Sequence, residues 1–354
     1  MSCMSPVRKD QCERDEAVLD AMRERGSASA RATLMNFQPL SGGFSRQMYR
    51  ADVVDPLNGI IEIVVCVRHS NSLLDSSLDQ EYAIYQALAN SGVPLPSMHG
   101  KCNDVDTALG GPFFVMDRLP GVAPNVWRVT DRHELEDNWR TTRALGEDVV
   151  AAMSAIHCVD TAPLEGVVQR MSFAEVVAHW RTTYERVRLI RDPIIDEAFD
   201  WVHSRTPAPV PESLVHGDFR IGNCLVNEGR LSGVLDWELA YLGDPRFDVG
   251  YLALGYSSGK LVKPGSALLG AVAERDWFFG RYQELTGRAV DLEDVRTFSV
   301  LSALMLMANL SSAIHTYVER GADDIRMLWS RVPIASLRLD LVRLMEWPEA
   351  GSRS

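Results

Sequence analysis

The stretch His216-Gly217-Asp218-Phe219-Arg220-Ile221-Gly222-Asn223, followed by Asp236-Trp237-Glu238, sets an Asp and an Asn five positions apart with a second Asp one hairpin further on. Transfer of a nucleotide γ-phosphoryl group to a hydroxyl needs such a set: a carboxylate to orient the attacking oxygen and two oxygen ligands for magnesium. The pattern His-Gly-Asp-(any four)-Asn is expected by chance in only about two of a thousand random chains of this length. Without that chemistry, Asp218 would be a turn residue, Asn223 a cap and Asp236 a strand-end carboxylate.

These groups need a scaffold. A short strand, Ser213–His216, leads into the motif, and a hairpin from Cys224 to Asp236 carries the metal-binding candidates on its ends. Upstream, a charged helical segment around Asp15–Gly26 precedes a β-meander over Phe37–Arg68, with Asp55-Pro56-Leu57-Asn58-Gly59 as a turn. Between its first two strands, Leu40-Ser41-Gly42-Gly43-Phe44-Ser45 reads either as a plain hairpin tip or as a backbone lid over phosphates. In Ile61–Arg68 the two-residue strand period puts Cys66 and Arg68 on one face and Val65 and Val67 on the other.

The segment Ser77–Ala89 has a helical apolar face at Leu78, Tyr82, Tyr85 and Leu88, a capping-box pattern at Ser77 and Gln80, and a stop at Gly92-Val93-Pro94. Glu81 lies on it, where an ion pair with Arg68 would position phosphates and a solvated carboxylate is the alternative. A buried strand in Gly111–Gly121 connects two lobes, after which long amphipathic patterns take over, as in Phe173, Val176, Val177, Trp180, Tyr184 and Val187. The second lobe reads as helical apart from Ser213–His216 and the Cys224–Asp236 hairpin, with helices resuming from Asp248. Leu301–Leu310 reads as a buried core helix, shorter than the roughly 20 residues a bilayer span needs.

With 354 residues, 46% of them apolar and 24% charged, the chain has material for a large core in two lobes. Its net charge of −12 argues against nucleic-acid binding, which depends on Lys and Arg neutralising phosphates. Six scattered cysteines without a C-x-x-C pair suit a reducing compartment. The first thirty residues carry both charge signs and no apolar core of a signal peptide, so a cytoplasmic location away from membranes is expected. There is no Walker A sequence. The arginines at 181, 186, 188 and 191 make one helix locally basic, suiting an anionic acceptor or simply a solvated face.

In their order along the chain, the Gly-rich loop, the basic third-strand residue, the helical Glu, the linker strand, H-G-D-x-x-x-x-N and D-W-E resemble the aminoglycoside phosphotransferase and choline kinase-like family over roughly residues 35–350. The resemblance is strongest to the kinase-like domain fused to some acyl-CoA dehydrogenases, through Leu214–Arg220 and Asp236–Pro245. It implies an α+β, bilobal protein kinase-like fold: an N-terminal antiparallel β-sheet lobe with one main helix, residues 1–116, and a larger, mostly helical catalytic and acceptor-binding lobe, residues 117–354.

It further implies ATP and Mg2+ as cofactors, and a small-molecule acceptor bearing a hydroxyl. Asp218 would be the catalytic base, with Arg220 stabilising charge on the transferring group. Asn223 and Asp236 would ligate magnesium. Ser41, Gly42, Gly43, Phe44, Ser45, Cys66, Arg68, Glu81, Met116, Asp117 and Leu119 would contact the nucleotide, the backbone of Asp117 and Leu119 meeting adenine. His216 would be structural, and Asp248 would brace the catalytic loop from a helix start, or serve as an N-cap for Val249–Leu254.

The acceptor that the resemblance favours is a hydroxy acid or hydroxyacyl-CoA, with an aminoglycoside or a choline-like alcohol as alternatives. A silent nucleotide-binding module and a nucleotidyl transferase are the competing functions, and a monomer or homodimer is expected. Arg68 stands where most kinase-like folds have Lys, a substitution that changes reach and geometry.

Overall fold

The structure is a computed structural model that describes residues 6–40, 46–68, 78–261, 263–319 and 324–346. Two compact units divide the chain: 1–90 with 95–120, and 91–94 with 121–354.

The first unit begins with α1 (Pro6–Glu24), longer at its start than its charge pattern suggests. Strands β1 (Thr33–Leu40), β2 (Arg46–Asp55) and β3 (Gly59–Arg68) form the meander; α2 (Leu78–Leu88), β4 (Met98–Cys102) and β5 (Phe113–Asp117) complete the unit. The sheet is antiparallel throughout, in the order β1-β2-β3-β5-β4. Strand alternation sends Ile63, Val65 and Val67 of β3 and Phe113 and Val115 of β5 into one core with Val18 and Met22 of α1. Opposite, α2 buries Ile84 and Leu88, and Tyr85 meets Phe114 edge-on at 6.1 Å. Ser77 and the Leu40–Ser45 loop tip, residues 41–45, lie outside the described residues.

One carboxylate ties this unit's β2–β3 turn to the segment that joins α1 to β1. Asp55 accepts from the backbone N–H groups of Leu57 (2.9 Å) and Ser29 (2.7 Å), from the Ser29 hydroxyl (2.7 Å) and from the Asn58 amide (3.1 Å). These donors, the two backbone groups first, favour the ionised form and hold its pKa at about 2, below the ordinary carboxylate value. A depressed carboxylate stabilises the fold above its unfolded pKa, near 3.9, and that contribution is lost as pH falls toward 2. Asp55→Ala is therefore expected to lower the melting temperature at neutral pH, and to flatten its dependence on pH between about 4 and 2 relative to the parent protein; an unchanged acid melting profile would contradict this.

The second unit contains α3 (Val129–Thr141), α4 (Ala144–Cys158), α5 (Phe173–Val187), α6 (Pro193–His203), α7 (Arg246–Ala253), α8 (Arg275–Thr286), α9 (Leu292–Glu319) and α10 (Arg331–Leu344). A Ser172–Glu175 capping box starts α5, and the Asp192 side chain with Pro193 starts α6. Helix α9 runs 28 residues, well beyond the expected Leu301–Leu310. It is long and apolar enough to cross a membrane, yet 72% of its most apolar window is buried inside the protein. Leu301, Leu304, Met305 and Ala308 pack there against Val177 and Trp180 of α5, Phe199 of α6, Tyr251 of α7 and Leu337 of α10.

Two small antiparallel sheets interrupt the helices: β6 (Ser213–Val215) with β9 (Tyr241–Gly243), and β7 (Cys224–Asn227) with β8 (Arg230–Val234). Strand β9 is absent from the sequence reading. It is only three residues long, and its partner β6 lies more than twenty-five residues upstream, so no local period marks it.

Candidate active site

The motif occupies the loop from β6 to β7, and α7 holds that loop from beneath. Asp248, fully buried in the first turn of α7, accepts from the backbone N–H groups of His216 (2.8 Å) and Gly217 (2.9 Å), and its carboxylate meets His157 Nε2 at 3.0 Å. It is not an N-cap: the helix starts at Arg246, capped by Pro245, and the Asp248 side chain serves the loop instead. His157 Nδ1 in turn lies 2.7 Å from the Tyr282 hydroxyl, so α4, α7 and α8 converge on one carboxylate. His157 and Tyr282 escaped the sequence reading. A helical His followed by Cys has no spacing that marks it, and its partners are 91 and 125 residues away.

Gly217 has φ of +82°, and a Cβ there would come within 2.4 Å of the Leu239 carbonyl oxygen. The turn therefore requires glycine in both conformation and space. His216 donates from Nε2 to the Leu235 carbonyl (3.0 Å), and its Nδ1 accepts from the Asp218 N–H (3.3 Å). A ring in both roles is the neutral Nε2–H tautomer. Fully buried and packed on Trp237 with ring centroids 4.5 Å apart, His216 is scaffold.

The Asp218 carboxylate is held from both sides. One oxygen accepts from Arg220 Nε (3.1 Å) and the other from Asn223 Nδ2 (2.7 Å), which also donates to the Asp218 carbonyl (3.0 Å). The Arg220 guanidinium lies over Gly222, where a Cβ would meet Nη1 at 2.1 Å, so this position tolerates no side chain unless Arg220 moves. Burial lowers the Arg220 pKa most, but Asp218, with Tyr251, Tyr256 and Asp236 behind it, together more than offset this and keep the guanidinium cationic. Tyr251, one turn after Asp248 on α7, and Tyr256 complete the surroundings. Burial, then the Asp218 charge, pushes the Tyr251 hydroxyl well above its ordinary range, and burial raises Tyr256 to about 12. Both rings stay neutral phenols at working pH. Burial likewise lifts the Cys224 thiol to about 12, which removes it as a nucleophile.

Asn223 uses its amide nitrogen on Asp218; its amide oxygen accepts no hydrogen bond among the described residues. The Leu235 N–H donates to the Asn223 carbonyl (2.9 Å), tying the end of β8 to the motif and bringing Asp236 to it. Asp236 adopts φ of +70°, a conformation costly for a non-glycine residue and one that concentrates at functional sites. Among the described residues no group of three or more His, Cys, Asp or Glu could hold a metal ion. Two oxygen donors of the Asn and Asp type fit a magnesium ion that completes its shell with phosphate and water, rather than one caged by protein.

In the first unit, Cys66, Arg68, Glu81, Arg46, Leu78 and Phe114 line one small cavity. Glu81 is buried and ion-paired with Arg46, which stands directly across from Arg68 in the β2–β3 register. Beside the partner anticipated at Arg68, β2 thus supplies Arg46, a position that strand periodicity alone does not distinguish; Arg68 lines the same cavity as Glu81. Met116 is buried in β5. The Asp117 N–H is taken by the Ser97 carbonyl (2.9 Å) and its carboxylate by His99 (2.6 Å), which together with the Ser97 N–H holds the Asp117 pKa below the usual range. The Asp117 N–H is therefore already engaged within the unit. The Leu119 backbone makes no hydrogen bond among the described residues. Ser41, Gly42, Gly43, Phe44 and Ser45 lie outside the described residues.

Residues 36–284 match the model of the phosphotransferase enzyme family. Over 202 residues the chain is 30% identical to acyl-CoA dehydrogenase family member 10 of Mus musculus, a match covering 55% of this chain and 18% of that protein, so the chain spans a small part of that relative's length. A Ralstonia eutropha protein assigned as an aminoglycoside phosphotransferase superposes with a TM-score of 0.71 at 20% identity, covering 94% of this chain and 98% of that one. Aminoglycoside phosphotransferase APH(4)-Ia, in a ternary complex with ADP and hygromycin B, superposes with a TM-score of 0.54 at 18% identity, covering 91% and 96%. These likenesses establish an α+β, bilobal protein kinase-like fold.

Proposed function

Because the chain belongs to the phosphotransferase enzyme family, with a hydroxyl as the acceptor group, we propose that it transfers the γ-phosphoryl group of ATP to a hydroxy acid or hydroxyacyl-CoA. The observation that carries this reading is the Asp218 carboxylate fixed between Arg220 and Asn223 on a loop braced by Asp248. Such a carboxylate accepts the acceptor hydroxyl proton and aims its oxygen, and positioning supplies most of the catalysis when the transition state is loose. Arg220, cationic beside Asp218, would stabilise charge gathered on the transferring group. Magnesium, when bound, would supply positive charge that offsets the charge of the nucleotide phosphates. Asn223 Oδ1 and Asp236 would hold it, while Cys66, Arg68, Glu81, Met116, Asp117 and Leu119 of the first unit would take the nucleotide. The complex of APH(4)-Ia with ADP supports an adenine nucleotide, and the acyl-CoA dehydrogenase relative favours a hydroxyacyl acceptor.

The test is incubation of the protein with ATP, magnesium and a panel of hydroxy acids, hydroxyacyl-CoAs, aminoglycosides and amino alcohols, read by mass spectrometry. A phosphate-sized gain on a hydroxyacyl compound supports the proposal. A gain confined to an aminoglycoside, or one of nucleotide size, overturns it. Asn223→Ala should raise the magnesium concentration for half-maximal activity by about 10–100-fold, measured by titration at saturating ATP. An unchanged requirement would remove Asn223 from the metal site.

A further inference from the structure

In the second unit, the end of α5, the 188–192 loop, the start of α6, α9 and α10 line an open cavity of about 400 Å3 that contains no residue of the catalytic loop. Part of its wall is apolar and buried, through Tyr184, Ile195 and Ile314, while Leu189 and Ile190 are exposed at 44% and 78%.

The rest of the wall is cationic. Arg188 and Arg191 share Asp196 at 3.0 and 2.6 Å, and Arg338 pairs with Asp192 at 2.9 Å. Arg331, exposed at the start of α10, has no carboxylate partner among the described residues. Four guanidiniums thus face two carboxylates, a local positive surplus in a chain whose net charge is −12. The helix expected to carry all of these arginines ends at Val187, so Arg188 and Arg191 lie in the loop beyond it. Arg181 pairs with Glu185 and Asp200 on the outside, whereas Arg188 and Arg191 line the cavity.

Surplus guanidinium charge beside aliphatic walls suits a ligand with both an anionic head and a hydrocarbon body, because a guanidinium binds carboxylate or phosphate through paired donors while the chain leaves water. We propose that this cavity binds an aliphatic anion, its carboxylate or phosphate head between Arg331 and Arg338 and its chain against Leu189, Ile190 and Ile334. The exposed Leu189 and Ile190 then cover the ligand, and the Tyr184 hydroxyl, which burial keeps protonated by raising it to about 12, remains available as a donor.

Isothermal titration of the full chain with octanoate and with octyl phosphate tests this, against inorganic phosphate and octylamine as controls. Saturable binding is expected for both amphiphilic anions, at least about tenfold weaker for inorganic phosphate, which lacks the chain, and undetectable for octylamine. Whichever of the two binds tighter identifies the head group as carboxylate or phosphate ester. Arg331→Gln, on an exposed helix start, should weaken both by about tenfold, and the uncharged Ile190→Asn should weaken octanoate while sparing inorganic phosphate. The proposal fails if neither amphiphile saturates at millimolar concentration, if octylamine binds as well as octanoate, or if Arg331→Gln leaves both affinities unchanged. The readout requires no phosphoryl transfer, so its outcome stands apart from that of the catalytic reading.

Discussion

Asp218→Asn is expected to lower turnover by about a hundred- to ten-thousand-fold, the range a positioned general base contributes, while leaving the fold intact. The side chain keeps its shape and loses its proton affinity. It also loses one acceptor. In the parent protein both carboxylate oxygens are used, by Arg220 Nε at 3.1 Å and Asn223 Nδ2 at 2.7 Å. An amide offers one oxygen and one NH2, so if it satisfies Arg220 it confronts the Asn223 amide with a donor. Asn223 must then turn over, withdrawing from the metal the oxygen assigned to it. The variant should therefore show a raised magnesium requirement along with the fall in kcat, with little change in melting temperature, because Asp218 is partly exposed. Steady-state kinetics across a magnesium series, with thermal melting in parallel, read all three. A kcat within tenfold of the parent would remove Asp218 as the base. A large fall in melting temperature would instead make it a structural residue.

Asp248→Ala should do the opposite first: unfold the second unit more easily, by about 3–5 kcal/mol, the cost of breaking a buried charge network by removing one partner. The carboxylate is fully buried and accepts from His216 N, Gly217 N and His157 Nε2. Removing it leaves buried donors without acceptors, each costing about 1–3 kcal/mol. The loop cannot relax to recover them, because Gly217 is already against the Leu239 carbonyl and His216 against Trp237. Activity should fall as well, since Asp218 follows directly on the two N–H groups that Asp248 holds. Denaturant unfolding by tryptophan fluorescence measures the first effect and kcat at a temperature well below the transition the second. An unchanged denaturation midpoint would show that the bridge to α7 contributes little to stability.

Much of this was legible in the residues. Strand alternation over Ile61–Arg68 put Val65 and Val67 in the core and Cys66 and Arg68 on the opposite, cavity-lining face because a pleated strand leaves no other option once one face is buried. The hairpin between Cys224 and Asp236 was written in its turn residues, and helix α2 in its apolar spacing and its Gly-Val-Pro stop. What escaped was set by distant partners. Helix α9 extends past its apolar run at both ends, where its first and last turns are only partly covered, so no apolar periodicity marks its limits. Strand β9 exists only because β6 offers it a ladder. Arg46 meets Glu81 because β2 lies beside β3, and nothing in its own neighbours in sequence announces an ion pair.

The same division runs through the candidate site. By itself the sequence pointed to the family and the reaction type, and it singled out Asp218, Asn223 and Asp236 as candidates, since these lie within a span of nineteen residues whose spacing is local. The resemblance already implied a structural His216 and an Asp248 that braces the loop; tertiary structure decided how each does so and which distant groups join them. His216 is neutral and buried, Asp248 faces the loop rather than its own helix end, and His157 and Tyr282 join from 91 and 125 residues away. The physical reason is one of range. Backbone conformation and side-chain alternation act over a few residues and can be read along the chain, whereas a buried carboxylate takes whichever donors packing brings to it, and those are chosen by the fold as a whole.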